Sequence, residues 1–156
     1  MIKPLHGTSI EEYNEVINTN LFSSFYLLST FAKRMKNGSA LFFSSVAASL
    51  GLSNHEVISA AKSGIEGFVR SAAATYSKDN LRINAIAPSI MDSNMSKKIL
   101  STEQAIEISK SMHPIPKIGT YNDILPVVRW LMSDDADWVT GQTINIDGGL
   151  SKIKPR

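Results

Sequence analysis

The stretch from residue 40 to residue 64 limits what this chain can fold into more than any other. It opens with Ala40-Leu41-Phe42-Phe43, an apolar run that ends abruptly at Ser44 and Ser45. A short run with no polar alternation reads as a strand buried on both faces of a parallel sheet. After a loop containing Gly51 comes Ile58-Ser59-Ala60-Ala61-Lys62-Ser63-Gly64, helical in pattern, with a lysine on one side. A strand that delivers a hydroxyl, followed by a helix that delivers an ammonium, places both groups at the carboxyl edge of an open α/β sheet, where such sheets bind ligands.

The flanking segments fit that plan. Thr8 or Ser9 can cap a helix with Glu11 and Glu12 in its first turn. Tyr13, Val16, Ile17, Leu21, Phe25 and Leu28 recur at three- and four-residue spacing, so the helix is expected to run to about Lys36, where Asn37-Gly38 stops it. The pattern then predicts a strand at 40–44, a helix from 56 to 76 or 77, and a strand at 82–87 ended by Pro88. A loop at 89–94 and one or two short helices within 95–111 follow, broken by Pro114 and Pro116. A helix at 123–132, entered through Asn122, and a strand at 143–146, closed by Asp147-Gly148-Gly149, complete the chain. Alternation of this kind specifies an α/β fold with a parallel sheet of about three strands and crossover helices. Residues 1–156 read as a single, partial domain.

Ser45 and Lys62, with the segments around them, resemble the short-chain dehydrogenase/reductase superfamily. Its active site carries a serine after one strand and a Tyr-x-x-x-Lys pair on the next helix. Similar stretches follow in the same order: Arg82-Ile83-Asn84-Ala85-Ile86-Ala87-Pro88, then Trp138-Val139-Thr140-Gly141-Gln142, then Asp147-Gly148-Gly149. By that resemblance Ser45 would hydrogen-bond the substrate oxygen. Lys62 would grip the nicotinamide ribose and lower the pKa of the tyrosine. Asn20, in Ile17-Asn18-Thr19-Asn20-Leu21, would hold a water in a proton relay. The loop Pro88-Ser89-Ile90-Met91-Asp92-Ser93 stands where the family contacts the cofactor. Pro88 and Met91 would lie along the carboxamide, and Ser93 would offer a hydroxyl to the pyrophosphate. The implied cofactor is NAD or NADP.

Two departures qualify the resemblance. The residue four before Lys62, where the family has its tyrosine, is Ile58, which has no proton to give a developing alkoxide. The glycine-rich turn that cradles the cofactor pyrophosphate is also absent, and the nine glycines are scattered. The expectation is therefore a truncated Rossmann-like sheet lacking the N-terminal nucleotide-binding half, roughly three βα units of about 30 residues each. His55, seven before Lys62 and next to Glu56, is the candidate that spacing and chemistry offer as a substitute acid.

Composition narrows the partners. A net charge of +2 argues against nucleic acid or an anionic membrane surface. There is no cysteine, hence no disulfide framework and no thiolate metal site, which suits the cytoplasm. His6, His55 and His113 are far apart and lack carboxylates at metal-ligand spacing, so no metal is expected. The start carries no apolar signal region, and no run is long and apolar enough to span a bilayer. Two functional readings result. One is an oxidoreductase homologue, a fragment or shortened form, whose activity depends on a missing N-terminal half. The other is a non-catalytic dimerisation or binding module, with self-association through helices 9–36 and 56–77 or pairing with a complementing N-terminal half.

Overall fold

The computed structural model describes residues 2–154. Three parallel strands, β1 (Ser39–Phe43), β2 (Arg82–Pro88) and β3 (Thr143–Ile146), form one sheet in the order β1-β2-β3. The register sets Phe43 opposite Ile86 and Pro88 opposite Ile146, so the carboxyl ends of all three strands share one edge. The central strand is buried from Ile83 to Ala87. Its side chains alternate between two cores, as a parallel strand covered on both faces requires.

One core lies between the sheet and helix α3 (Glu56–Tyr76), where Ile83 and Ala85 meet Ile65, Val69 and Phe42. The other packs Ile86 with Ile124 and Leu131 of helix α5 (Tyr121–Met132), with Leu41 and Ile144 alongside. Helix α3 matches its expected bounds, and β3 does so residue for residue. The first strand sits one residue earlier than expected. Ser39 joins it by donating from its hydroxyl to the Leu131 carbonyl at 3.0 Å. Pro88 belongs to β2 as its last residue, where a missing N–H costs the ladder little.

The first helical run is interrupted. Helix α1 (Ile10–Ile17) is capped by Ser9, whose hydroxyl accepts from Glu12 N–H while the Glu12 carboxylate accepts from Ser9 N–H. A single π turn (Asn18–Phe22) follows, and then helix α2 (Ser23–Phe31). Asn20 Nδ2 donates to Val16 O at 3.0 Å and Ser23 Oγ to Thr19 O at 2.7 Å, side-chain bonds that compete with the regular ladder. The π turn brings Leu21 onto Gly64 of α3, where a Cβ would meet the leucine methyls at 2.9–3.0 Å. The run ends at Arg34, and Asn37 takes the left-handed conformation at φ 55°.

Between 95 and 111 only helix α4 (Glu103–Ser111), capped by Thr102, forms, while residues 93–102 are irregular turns. Helix α5 starts two residues before its expected position because Thr120, paired with Asp123 in a capping box, is the cap in place of Asn122. The C-terminal segment is fastened to β2 by side chains as well as by the ladder. Arg82 donates to the carbonyls of Leu131 and Ser133 at 2.8 and 2.9 Å. Buried Asn84 donates to Val139 O at 2.8 Å and accepts from Gln142 N–H at 3.0 Å. Among the described residues no helix is long and apolar enough to cross a membrane.

Candidate functional site

Of the residues singled out by sequence, Ser45, Lys62 and Pro88 lie at the carboxyl edge of the sheet, each held by a specific local device. The apolar run of β1 stops at Ser44, whose N–H still bonds Ile86 O at 2.8 Å and whose hydroxyl turns inward to the Glu66 carboxylate at 2.9 Å and the Lys62 carbonyl at 3.2 Å. Ser44 is therefore committed to holding α3 against the sheet. Ser45 leaves the strand extended, and its oxygen accepts from Ala47 N–H at 3.2 Å, capping a short turn at Val46–Ala48. That bond leaves the Ser45 hydroxyl proton free to be donated. Ser63 ties the same turn to α3 through Ala48 O at 2.8 Å.

Lys62 reaches back from α3 and donates to Phe43 O at 2.9 Å, two residues before Ser45. Strand end and lysine are thus joined directly, and two ammonium hydrogens remain unused. Partial burial of the ammonium lowers the Lys62 pKa below its ordinary value. Ile58, one turn before Lys62, packs with Val16, Val57 and Ala61 in the contact between α1 and α3. No phenol or other proton donor stands at that position. His55 directs Nδ1 to Ser53 O at 2.8 Å within its own turn, and no bond joins it to Ser45 or Lys62.

Asn20 lies on the π turn that packs on α3, with its amide spent on Val16 O, and it makes no bond to Ser45 or Lys62. Pro88 ends β2 at the shared edge, and Ser89 N–H bonds Ile146 O at 3.3 Å. Met91 pairs by backbone with Gly119, where a side chain would collide with the Met91 sulfur. Ser93 is drawn into a turn around buried Ser96, with its N–H on Ser96 Oγ at 3.1 Å and its hydroxyl 3.3 Å from the same oxygen. Among the described residues no group of three metal-ligating side chains converges.

Two residues enter this edge to which the sequence assigned no role there. His113 is buried and bonds Ser89 Oγ through Nε2 at 2.9 Å and Ser109 O through Nδ1 at 2.8 Å. Asp147, at the end of β3, accepts from Gly149 N–H, Ser151 N–H and Ser151 Oγ. Burial pushes the Asp147 carboxyl up, but these bonds outweigh it and hold the group below its ordinary value, and a charge on His113 acts in the same direction. Beside them opens a cavity of about 250 Å3, lined by Ser89, Met91, His113, Lys117, Asp123 and Asp147. No spacing in the sequence pairs residue 89 with 113; the topology alone brings them together.

Comparison with known proteins places the chain in a family. The family described as enoyl-(acyl carrier protein) reductase matches residues 1–151. The chain belongs to the short-chain dehydrogenase/reductase superfamily. It is 32% identical over 152 residues to a chloroplastic tropinone reductase homologue of Arabidopsis thaliana, covering 96% of this chain and 47% of the relative. It is 31% identical to the 3-oxoacyl-[acyl-carrier-protein] reductase FabG of Buchnera aphidicola, covering 95% and 61%. The chain thus spans about half of the length of the curated superfamily members it matches. Among solved structures, 4-hydroxyisoleucine dehydrogenase complexed with NADH superposes with a TM-score of 0.93 at 27% identity, covering 98% of this chain and 65% of that one. Thermoplasma acidophilum aldohexose dehydrogenase gives 0.91 at 27% identity, covering 100% and 66%. The three-stranded parallel sheet is the superfamily's Rossmann-like architecture over that portion.

Proposed function

We propose that this chain carries the substrate-side and nicotinamide-side portion of an NAD(P)-dependent oxidoreductase site and does not reduce a carbonyl by itself. The observation that carries this reading is Ile58. Ser45 and Lys62 keep their places around the end of β1, while the position between them holds an aliphatic side chain packed into the α1–α3 contact. The residues present fit part of a nicotinamide cofactor. Lys62 has ammonium hydrogens to offer ribose hydroxyls, and the 88–93 loop lies at the same sheet edge. The glycine-rich cradle for its phosphates is not in this sequence. Such a cofactor, when bound, supplies hydride. From this chain, Ser45 would donate a hydrogen bond to a substrate oxygen, and Lys62 would orient the ribose. No residue at position 58 moves a proton to an alkoxide.

Titration calorimetry with NADH and NADPH tests the reading. The full chain is expected to bind either one more weakly than micromolar and to turn over no carbonyl substrate. Ile58→Tyr alone is expected to leave it inactive, because the phosphate cradle is still missing. Micromolar or tighter binding, or turnover that His55→Ala abolishes, would overturn it.

A second reading has its own support. Helix α2 and the π turn leave Phe22, Tyr26, Leu27 and Phe31 exposed, and β1 leaves Phe43 half in water. An apolar face of this kind fits association, either between copies of the chain through α1–α2 and α3 or with a polypeptide that supplies the cofactor-binding half.

A further inference from the structure

His113 sits where the exits of β2 and β3 meet helix α4. Ser89 is the first residue after β2, Ser109 belongs to α4, and Asp147 follows β3. The ring is 5% exposed, and both of its nitrogens are engaged. The carbonyl of Ser109 can only accept, so Nδ1 carries the hydrogen. In the neutral ring Nε2 then offers a lone pair, and the Ser89 hydroxyl is the donor across the 2.9 Å contact. Ser89 therefore points its proton inward, and its oxygen faces the cavity with lone pairs only. Ser109 is itself 7% exposed, so the carbonyl end of the bridge is also shut away from water.

We propose that His113 is a positioning residue: it fixes the direction of the Ser89 hydroxyl and fastens the loop after β2 to helix α4, so that loop and helix move as one body. Its functional weight rests on the reading above of the 88–93 loop as a cofactor-facing segment. The bridge itself does not depend on that reading. A glycine at position 89 would have no hydroxyl to lock, so the latch is specific to the serine found here. With both ring nitrogens occupied and the ring and Ser109 buried, removing the Ser89 hydroxyl leaves the buried ring's Nε2 without its protein donor, a cost that should surface as looser packing of α4.

Nitrogen-15 NMR of the full chain, with the ring neutral, reads the tautomer directly, and Nδ1–H is expected. Ser89→Ala should shift the Nε2 resonance and speed amide exchange across α4 by roughly five- to tenfold, the size of one lost hydrogen bond. Ser89→Thr, which keeps the hydroxyl, should restore both. An Nε2–H tautomer in the unsubstituted chain would overturn the proposal, as would α4 exchange that is the same in the Ala and Thr variants. Should Ser89→Ala fail to fold, the tautomer of the unsubstituted chain still decides. Failure of cofactor binding would leave both readouts unmoved, so the two proposals can fall separately.

Discussion

Along β3 the sheet is finished with polar contacts, whereas along β1 it is finished with aromatic side chains left in water. On the β3 side, Asp147 gathers three donors from Gly149 and Ser151, Asn145 donates to Ser151 Oγ, and Asn84 holds the 139–142 segment with both ends of its amide. On the β1 side, Phe43 is 51% exposed, Tyr26 75% and Phe22 54%. Behind them Phe25, Phe68 and Phe42 stack in sequence, with ring centroids 4.7 and 5.2 Å apart, so the apolar layer is continuous from the core to the surface. The contrast teaches that closure of a sheet edge is a matter of side-chain chemistry. Each side has one strand at an edge of the described sheet; the β3 side adds a polar turn bonded within itself, whereas the β1 side leaves large apolar side chains uncovered. At roughly 25 cal/mol per Å2, several hundred Å2 of apolar surface left in water forgoes on the order of 10 kcal/mol, comparable with the whole stability of a domain.

The largest effect that could break this comparison is on association. At low micromolar concentration the full chain is expected to sediment and scatter as a species larger than a monomer. Replacing Phe22, Tyr26 and Phe31 together with serine should weaken that association by roughly a hundredfold or more. A cooperatively folding monomer, unchanged by the substitutions, would erase the distinction between the two sides. A smaller effect sharpens the polar side. Asn84→Leu removes both bonds and leaves Val139 O and Gln142 N–H without their protein partner, at a cost of about 1–3 kcal/mol measurable by urea unfolding. A loss under about 0.5 kcal/mol would mean that the ladder alone holds β3.

The smallest effect is a pH dependence at the cap of α5. Lys117, with the N–H and hydroxyl of Thr120, bonds the Asp123 carboxylate and lowers its pKa from 3.8 to about 2. The folded value lies below the unfolded one, so the contribution is full above 3.8 and is lost as the pH falls through about 2. Melting temperatures recorded from neutral pH down to about pH 2 should fall less steeply for Asp123→Asn than for the unsubstituted chain. Equal slopes would show that the cap contributes nothing in acid.

What the sequence disclosed follows from which signals are local. Helix α3 was legible because its start, its small-residue face and its end are written within its own residues, and β3 because turn residues bracket it on both sides. That Lys62 comes to the end of β1 was legible from the strand-then-helix pattern, but its bond to Phe43 O was not. The π turn was not, because it depends on Leu21 settling over Gly64, a contact between helices 43 residues apart in the chain. Residues 93–102 carried no competing periodicity, and the hydroxyl of Ser96 decides their shape by bonding the Met91 and Ser93 carbonyls. Ser89, His113 and Asp147 meet only because β2 and β3 end at one edge and the segment after α4 returns to it, a fact that no pairwise spacing contains. His113 looked like an isolated histidine for the same reason.

The clamps that Arg82, Ile83 and Asn84 place on residues 131–142 span 49 to 58 positions of chain. Closing loops of that length must be accomplished before any of these bonds can form. During synthesis, then, β2 emerges and waits with one edge open until residues 139–146 arrive. The β1–β2 pair and α3 can assemble early, with β3 joining as the final step. The most aggregation-exposed stage of its synthesis therefore falls before residues 139–146 have docked, and a nascent chain stalled short of residue 142 would present Ile83 and Ala85 along an unpaired edge.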